Sequence, residues 1–446
     1  MKILHYSLGF PPYRSGGLTK YATDLMEEQV NQGHEVILLW PGKINLLNKK
    51  LSIKHSEDKF GITGYEIINP LPVPLLNGIK EVEFYMKKCD KNTYKDFLNK
   101  IKPDVIHIHT LMGIHKEFFE VSKEMQIKLI YTSHDYFGIC PKVNLLFNNS
   151  ICNDNKKCLN CTECNKNALS MKKIMILQSS LYRIFKESSI IKKCRSNYKK
   201  KSYNSKKVEL EDNRVLENNN KKYIDLRNYY FDIFNMIDKF HFNSTLARDI
   251  YLKYLNIKKY EVIPILHKDI KDKRVIKEFN KDLKITYLGP TQVYKGFYLL
   301  KSVLDDLYKE GYTNFKLNIY YETLDSSQYM NIQSRFEYSE LESIFKNTDL
   351  LVVPSIWYET FSFVAMEGYS YGVPLIITTN VGAKDIIKPD ITGIIIKPYY
   401  KELKEKIKLI YNNRNLLKNI NNEIVNDLAT NFKFEDHVKE IIKFYK

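Results

Sequence analysis

Two glutamates, Glu359 and Glu367, are spaced so that both carboxylates can serve one ligand site. They follow the apolar run Leu350–Val353, which is typical of a buried parallel strand, and Glu367 lies in the helical segment that comes next. Ligands of open parallel sheets bind beyond the carboxyl ends of the strands. There, one carboxylate can accept hydrogen bonds from sugar hydroxyls while the other holds a ribose diol. Both could instead be surface glutamates, but the mostly apolar residues between them argue against a solvated Glu367.

The backbone between the two glutamates is suited to bind phosphate. A helix that begins here leaves the N–H groups of its first turn without intrahelical partners, and such groups attract anions. The amides expected to do so belong to Thr360, Phe361, Ser362 and Phe363. The carboxylates and the helix start together indicate a ligand that carries sugar hydroxyls, a ribose and phosphate.

A second loop, Gly289–Gly296, carries Lys295 after the predicted strand Leu283–Leu288. An ammonium group at this place would neutralise a diphosphate and the negative charge that develops when the diphosphate leaves. The alternative is an ordinary surface lysine, and the chain has many of those. A third loop contains Gly16 and Gly17 after the first predicted strand. Glycines permit a close approach of the backbone to a ligand, although such a pair is more often only a turn.

Histidines mark two predicted strands of the first half. His134 follows the strand Lys128–Ser133, where a neutral imidazole could contact a transferred sugar and help to orient an acceptor. His107 and His109 share one face of the preceding strand, and we interpret them as buried, hydrogen-bonded histidines. His134 is therefore the functional candidate among the three.

A cluster of five cysteines falls between residues 140 and 164. The spacing Cys158-x-x-Cys161-x-x-Cys164 brings thiolates close enough to bind one metal ion. Structural zinc needs four ligands, an iron–sulfur cluster is the chemical alternative, and free thiols are the third interpretation. A structural metal would pin the surrounding segment and need not take part in the chemistry. The predicted ligands are Cys140, Cys152, Cys158 and Cys161, with Cys164 as a further candidate.

The elements that must position these residues alternate between strand and helix. Residues 2–8 and 35–40 predict strands, and residues 18–32 predict the amphipathic helix between them. A strand–helix–strand unit of this kind implies a parallel sheet. The apolar, β-branched runs at 103–109 and 128–133 extend the pattern, so the first half is expected to form a doubly wound α/β domain.

The other half repeats the alternation of strand and helix. Its predicted strands are Phe240–Phe242, Glu261–Ile263, Leu283–Leu288, Phe315–Tyr320, Leu350–Val353 and Leu375–Thr378. We therefore expect two Rossmann-like domains, residues 1–238 and 239–430, followed by a C-terminal helix within 431–446 that could pack back on the first domain. The first domain is expected to carry an insertion of about residues 151–223, helical in part and a flexible loop in part.

The composition fits a soluble chain of 446 residues, with 44% hydrophobic and 27% charged residues, too long for one ordinary core. The net charge of +17 suits nucleic acid, an anionic membrane surface or small anionic substrates, but no nucleic-acid-binding motif accompanies it. No apolar run reaches the length of a membrane span or fits a signal peptide, so we expect a cytoplasmic protein whose cysteines are thiols or metal ligands.

The segment Pro354–Pro374 resembles the signature of glycosyltransferase family 4, in which Pro-Ser-x-x-x-Glu-x-Phe-Gly-x-x-x-x-Glu-Ala precedes Gly-x-Pro. The chain keeps Pro-Ser, both glutamates and Gly-x-Pro. Ser362 stands where the family has glycine, and Gly368 stands where it has alanine. Both residues are small, so a donor can still approach closely. The order of the motifs along nearly the whole chain also matches the family.

The loop Gly289–Gly296 resembles the family's Gly-Arg-x-x-x-x-Lys-Gly segment. Lys295 matches the family's lysine, but Pro290 occupies the position of the arginine. One of the family's two phosphate-binding cations is therefore absent, and Arg14 is a candidate for its replacement. Gly16 and Gly17 resemble the family's N-terminal loop, whose amides approach the donor diphosphate.

Val381–Asp385 resembles the family's Gly-Gly-x-x-Glu segment, with Ala383 and Asp385 at two of its positions. The resemblance implies that it lines the acceptor side or the base side of the donor pocket. The alternative is a helical segment without a ligand. His134-Asp135, Cys140-Pro141 and the cysteines that follow resemble an arrangement found in some members of the family. The cysteine cluster is therefore expected to be a trait of a subfamily.

The resemblance implies the GT-B architecture, in which two Rossmann-like domains face across a cleft. It implies retaining transfer, of the hexosyl type, from a UDP- or GDP-sugar to a glycan or lipid-linked acceptor in cell-surface polysaccharide synthesis, without a catalytic metal. Glu359, Lys295 and His134 are then the catalytic residues, and Glu367 is expected to bind the ribose.

Other partners and functions stay open. The charge and the apolar, basic stretch Met171–Ile191 favour docking to an anionic inner membrane leaflet. Pro290 favours a non-catalytic scaffold that binds a nucleotide sugar and partners an active transferase. A nucleic-acid binder driven by charge and another enzyme on this fold, such as an epimerase, are the remaining alternatives.

Overall fold

The computed structural model describes residues 1–45, 48–74, 78–152, 154, 157–185, 188, 220–279 and 282–446. Residues 189–219 of the predicted insertion, about 151–223, lie outside this part of the chain. Contacts divide the chain into two compact units. The first unit comprises Met1–Thr132, Tyr136–Val143 and Asn153–Phe240, and the second comprises Ser133–Asp135, Asn144–Cys152 and His241–Lys446.

An eight-stranded sheet organises the first half of the chain in the order β10-β9-β6-β5-β1-β2-β4-β3, and β7 pairs with β8. From β1 the chain builds outwards through β2 and β4, then through β5, β6 and β9 on the other side, which is the doubly wound order. β1 pairs in parallel with β2 and β5. The strands are β1 (Lys2–Tyr6), β2 (Glu35–Pro41), β3 (Ser52–His55), β4 (Thr63–Ile68), β5 (Val105–Ile108), β6 (Lys128–Ser133), β7 (Leu146–Phe147), β8 (Ser150–Ile151), β9 (Lys239–Phe242) and β10 (Tyr260–Val262).

The helix predicted at residues 18–32 is confirmed as Gly17–Asn31, between β1 and β2. The helix Lys91–Ile101 begins at Asp90, whose carboxylate accepts the N–H of Asn92. The further α-helices described before β10 are Lys116–Glu124, Cys161–Cys164, Met171–Leu177, Ser180–Phe185, Lys221–Asn235 and Thr245–Tyr254, and a 3₁₀ turn covers Val82–Tyr85.

A six-stranded sheet of entirely parallel pairs forms the core of the second unit, in the order β13-β12-β11-β14-β15-β16. This is again the Rossmann order, and it reverses direction between β11 and β14. The prediction of two doubly wound α/β sheets is confirmed, but the assignment of β9 and β10 to the second sheet is wrong, because they extend the first sheet beside β6. The strands are β11 (Leu283–Tyr287), β12 (Phe315–Ile319), β13 (Met330–Ile332), β14 (Leu350–Val353), β15 (Leu375–Thr378) and β16 (Ile394–Ile396).

Helices alternate with these strands, and the last one ends the chain. The imidazole of His437 on the last helix lies 6.5 Å from that of His241 in β9, and the ring of Phe444 lies 6.3 Å from it. None of the described helices combines the length and the apolar character needed to cross a membrane. The α-helices are Phe297–Lys309, Leu341–Lys346, Phe363–Ser370, Tyr400–Asn412, Asn415–Val425 and Phe434–Tyr445, with 3₁₀ turns at Val293–Lys295, Tyr338–Glu340 and Gly382–Ile386.

Candidate active site

The two loops singled out in the second half leave neighbouring strands of one sheet. β11 leads into the loop that carries Lys295, and β14 leads into the loop that carries Glu359. Because the order of strands reverses between β11 and β14, the chain departs in opposite directions there and leaves a crevice at the carboxyl ends. Both predicted side chains are therefore delivered to the ligand-binding edge of the sheet.

Lys295 and Glu359 form an ion pair at this edge, with Nζ of the lysine 2.9 Å from Oε1 of the glutamate. The indole Nε1 of Trp357 lies 3.3 Å from the same oxygen, and the hydroxyl of Ser355 also donates to it. The ammonium group lies 5.1 Å from the centroid of the Trp357 ring. With side-chain exposures of 25% for the lysine and 9% for the glutamate, this is a partly buried cation held in place by a carboxylate.

A glycine lets the two loops meet. Gly296 has φ of 75°, and a Cβ atom there would lie 1.8 Å from the carbonyl oxygen of Pro354. The loops are joined by a backbone hydrogen bond of 2.9 Å, which the N–H of Ile356 donates to the carbonyl of Tyr294. Gly296 thus fixes the register in which the neighbouring Lys295 reaches the carboxylate.

The loop after β15 supports Glu359 from the other side. The N–H of Glu359 donates to the carbonyl of Asn380, and the N–H of Gly382 donates to the carbonyl of Glu359, both at 2.9 Å. The carboxylate of Asp385 accepts the N–H and the hydroxyl of Thr245 at 2.6 Å each, so it caps the helix that begins there. The segment after β15 therefore positions the backbone of Glu359. The carboxylate of Asp385 in that segment has a structural role, because it binds Thr245.

The helix Phe363–Ser370 begins at Ser362 without a side-chain capping hydrogen bond. Ser362 has φ of −178°, an extended conformation open to any residue, which explains why serine serves where the family has glycine. A Cβ atom on Gly368 would lie 2.5 Å from Cδ2 of Leu351, so this glycine packs the helix tightly on β14. The hydroxyl of Thr360 donates to the carbonyl of His134 at 2.9 Å.

Glu367 meets a histidine that the sequence did not single out. Nε2 of His267 lies 3.0 Å from Oε1 of Glu367, and both residues are buried. The imidazole packs against the rings of Phe363 and Tyr338, with centroid distances of 4.9 and 5.6 Å. No motif surrounds His267, so its residue type was the only signal in the sequence. It holds the carboxylate that is predicted to bind the ribose.

His134 lies next to the same loops. Burial, and to a smaller extent the nearby His241, lowers the pKa of its imidazole to about 3. The ring is therefore neutral at ordinary pH, as the predicted role requires. The adjacent carbonyl of Asp135 accepts the hydroxyl of Tyr251 at 2.7 Å, which anchors the segment in the second unit.

The glycines of the first loop lie at the start of the helix Gly17–Asn31. Gly16 has φ of 120°, and a Cβ atom built on it meets no atom within 4 Å in the described structure. In the same unit, the guanidinium groups of Arg14 and Arg183 lie 5.1 and 4.3 Å from the ring centroid of Tyr13. Gly289 in the second unit has φ of 152°, which favours glycine at the end of β11.

Of the histidines in the first sheet, His107 and His109 are 0% and 1% exposed. Nε2 of His107 lies 2.6 Å from the hydroxyl of Thr132, and Nε2 of His109 lies 2.9 Å from Nδ1 of His5. The prediction that both are buried and hydrogen-bonded is confirmed.

The predicted metal ligands are brought together only in part. Ligand atoms of Cys158 and Cys161 lie within 4.8 Å of each other and of a carboxylate oxygen of Asp154. Cys140, Cys152 and Cys164 do not belong to this group within the described residues. Asp154 was missed because a search by cysteine spacing does not register a carboxylate.

Two protein-family models match the chain. The model described as "Glycosyltransferase Family 4" matches residues 15–153, and the model described as "Glycosyl transferases group 1" matches residues 269–426. Among curated proteins, an uncharacterized 42.6 kDa protein in the cps region of Klebsiella pneumoniae is 28% identical over 159 residues, which are 34% of this chain and 41% of that protein. An uncharacterized glycosyltransferase of Methanocaldococcus jannaschii is 26% identical over 107 residues, 24% of this chain and 27% of that protein. The chain thus spans less than half the length of these relatives.

Solved structures share the fold over the whole chain. Sucrose-phosphate synthase from Thermosynechococcus elongatus has a TM-score of 0.59 at 13% identity, covering 100% of this chain and 98% of that chain. WaaG, a glycosyltransferase involved in lipopolysaccharide biosynthesis, has a TM-score of 0.56 at 13% identity, covering 100% and 99%. HepE of Anabaena in complex with UDP and glucose has a TM-score of 0.55 at 10% identity, covering 99% and 98%.

The two doubly wound units and these solved structures show that the chain has the GT-B fold. The two family models place it more narrowly. The chain belongs to glycosyltransferase family 4.

Proposed function

We propose that this protein is a retaining hexosyltransferase that moves a sugar from a nucleoside diphosphate sugar to a glycan or lipid-linked acceptor in cell-surface polysaccharide synthesis. The observation that carries the proposal is the pair of Lys295 and Glu359, 2.9 Å apart at the point where the strand order reverses. It puts a cation suited to phosphate beside a carboxylate suited to sugar hydroxyls, at the edge of the sheet where α/β proteins bind ligands.

The donor fits the groups around this pair. The diphosphate would lie at the start of the helix Phe363–Ser370, where first-turn amides and the helix dipole attract anions. Glu367, held by His267, would accept hydrogen bonds from the ribose diol. Glu359 would accept hydrogen bonds from hydroxyls of the transferred sugar. These contacts orient the bond between the anomeric carbon and the diphosphate for cleavage.

Transfer then breaks the bond between the anomeric carbon and the β-phosphate oxygen and forms a bond from that carbon to the acceptor oxygen with the same anomeric configuration, and the proton of the acceptor hydroxyl passes to the leaving phosphate oxygen. Negative charge develops on the leaving nucleoside diphosphate, and the ammonium group of Lys295 stabilises it. Glu359 keeps this ammonium group at the site. We expect no catalytic metal, because the lysine and the helix start supply the positive charge. The neutral imidazole of His134 can form a hydrogen bond with the transferred sugar or with the acceptor.

The donor is a UDP-sugar or a GDP-sugar. HepE, which shares the fold, forms a complex with UDP and glucose, and this favours a uridine nucleotide as the first candidate. Glu367 and the helix start would contact ribose and phosphate, which both nucleotides contain.

The acceptor is a glycan or a lipid-linked sugar. One relative is encoded in a cps region, and WaaG acts in lipopolysaccharide biosynthesis, so polysaccharide of the cell surface is the natural product class. The net charge of +17 favours a peripheral position at the anionic inner face of the membrane, with the site in the cytoplasm.

Mass spectrometry after incubation with mixed UDP- and GDP-hexoses and a membrane lipid extract tests this function. We expect an acceptor heavier by a single hexose and release of the matching nucleoside diphosphate. Donor binding without a product from any donor would contradict transfer and favour a non-catalytic scaffold, for which Pro290 in place of arginine is the argument. Conversion of the donor sugar into its epimer would contradict it in favour of another enzyme class.

A further inference from the structure

The proposed reaction makes no use of a cysteine-rich turn in the first unit, formed by residues 154 and 157–164. A carboxylate oxygen of Asp154 and the Sγ atoms of Cys158 and Cys161 all lie within 4.8 Å of one another. These are ligand types that zinc prefers, and their mutual distances suit a single ion.

Backbone hydrogen bonds within the turn hold the carboxylate of Asp154 and the two thiols close together. The N–H of Cys158 donates to Oδ1 of Asp154 at 2.6 Å, and the N–H of Cys161 donates to the carbonyl of Cys158 at 3.1 Å. Cys158 has φ of 55°, in the left-handed region that residues other than glycine seldom occupy. The side chain of Asn165 donates to the carbonyl of Cys161 at 2.7 Å, which secures the end of the turn. The turn therefore holds two thiols and a carboxylate together in an uncommon backbone conformation.

The cluster is buried, and the carboxylate of Asp154 pairs with the guanidinium group of Arg227. The side chain of Asp154 is 1% exposed, and Cys158 and Cys161 are 0% and 7% exposed. Nη1 of Arg227 lies 3.6 Å from Oδ1 of Asp154, and its own side chain is 5% exposed. Ionised thiols would add negative charge in a medium that penalises it, and a divalent cation compensates that charge.

The candidate for the fourth ligand lies outside this group, in the part of the chain next to Arg227. Nε of Arg227 donates to the carbonyl of Ile139 at 2.9 Å, and the buried Cys140 is the next residue. Cys152, in contrast, donates its N–H to the carbonyl of Leu145 and groups with the second unit. Arg227 lies on the helix Lys221–Asn235, so its side chain links that helix both to Asp154 of the turn and to the segment before Cys140.

We propose a structural zinc site in the first unit whose ligands are Asp154, Cys158, Cys161 and Cys140. It differs from the set predicted from spacing by the exchange of Cys152 for Asp154. The ion would fasten the cysteine-rich turn to the segment that contains Cys140, and it leaves sugar transfer to the second unit. The proposal does not depend on the proposed function, because the ligands lie outside the donor groups.

Metal analysis of the purified full chain tests the site. We expect about one equivalent of zinc per chain, and loss of that zinc in the variants D154N and C158S. The cobalt-loaded chain should show thiolate-to-cobalt charge transfer in the near ultraviolet, which C158S removes. Cys89 lies in the same unit, outside the cluster, and C89S should keep the zinc and the cobalt spectrum.

A chelator titration of the folded wild-type chain covers the case in which a variant fails to fold. Removal of zinc should lower the melting temperature, and added zinc should restore it. A chain that holds no zinc after expression with zinc, with its thiols free by titration or with a Cys158–Cys161 disulfide lighter by two hydrogens in mass spectrometry, would overturn the proposal. Loss of zinc in C152S with retention in D154N would overturn the ligand set.

Discussion

At the scale of single residues, the proposed donor site depends on the side chains that converge on the carboxylate of Glu359. The sequence predicted Glu359 and Lys295 separately, one as a carboxylate for sugar and one as a cation for phosphate. The structure joins them at 2.9 Å and adds Ser355 and Trp357 as donors to the same carboxylate oxygen. This convergence could not be derived from spacing, because it depends on how two loops from different strands approach each other.

His267 offers a prediction at this scale. Replacement by alanine removes the imidazole that lies 3.0 Å from the buried carboxylate of Glu367 and leaves that carboxylate less well placed. A lost hydrogen bond to a charged group is worth about 1.5–3 kcal/mol, so binding of UDP or GDP should weaken by about tenfold or more. Calorimetric titration measures this change.

The control for H267A is His55→Ala. His55 also pairs with a carboxylate, that of Asp58 at 2.9 Å, but it is exposed and lies in the first unit. Nucleotide affinity should not change in this variant. Equal affinity of the wild type and H267A would show that His267 does not position Glu367 for the nucleotide.

At the scale of elements, the strands and helices that periodicity predicted lie close to their observed bounds, but the strands β3, β4, β7, β8, β13 and β16 were not predicted. The first helix was predicted within one residue of its observed bounds, Gly17–Asn31. The run at 103–109 is longer than the strand β5, and Pro103 cannot extend that strand because it lacks an N–H group. The close approach of Gly296 to the carbonyl of Pro354 was not predicted, because the sequence motif that ends at Gly296 does not specify which residue packs against it.

Gly296→Ala is the prediction for this scale. Its Cβ atom would lie 1.8 Å from the carbonyl oxygen of Pro354, and neither backbone can yield easily. We expect urea unfolding to show a loss of stability about 2 kcal/mol larger than the positive φ alone accounts for. Nucleotide binding should weaken as well, because Lys295 and Glu359 are held by the same pair of loops.

Gly311→Ala is the matched control for this substitution. Gly311 has φ of 93°, but a Cβ atom there meets nothing within 4 Å in the described structure. Its loss of stability should be about 1 kcal/mol, with no change in nucleotide affinity. If the two alanine variants behave alike, the contact between the loops does not position the site.

At the scale of the whole molecule, two doubly wound sheets follow from the alternation of apolar strands and helices, and this part of the fold was predictable. The strand orders and the points of reversal were not, because periodicity does not state which strands become neighbours. The metal ligands show the same limit. Cys158 and Cys161 follow from their spacing, whereas Asp154 joins them only in the folded turn. The family follows from motifs, and the donor, the acceptor and their orientation require experiment.

The most direct test of the central claim is the rate of sugar transfer by Lys295→Ala at saturating donor, compared with Lys301→Ala. Both lysines are partly buried and paired with a carboxylate, at 2.9 Å for Lys295 and 2.7 Å for Lys301, but Lys301 lies on the helix Phe297–Lys309 and pairs with Asp305. Loss of the cation that stabilises the leaving diphosphate should lower the rate by about 10²–10³-fold, and Lys301→Ala should stay near the wild type. Equal transfer by the wild type and Lys295→Ala, in a variant that remains folded, would contradict the account.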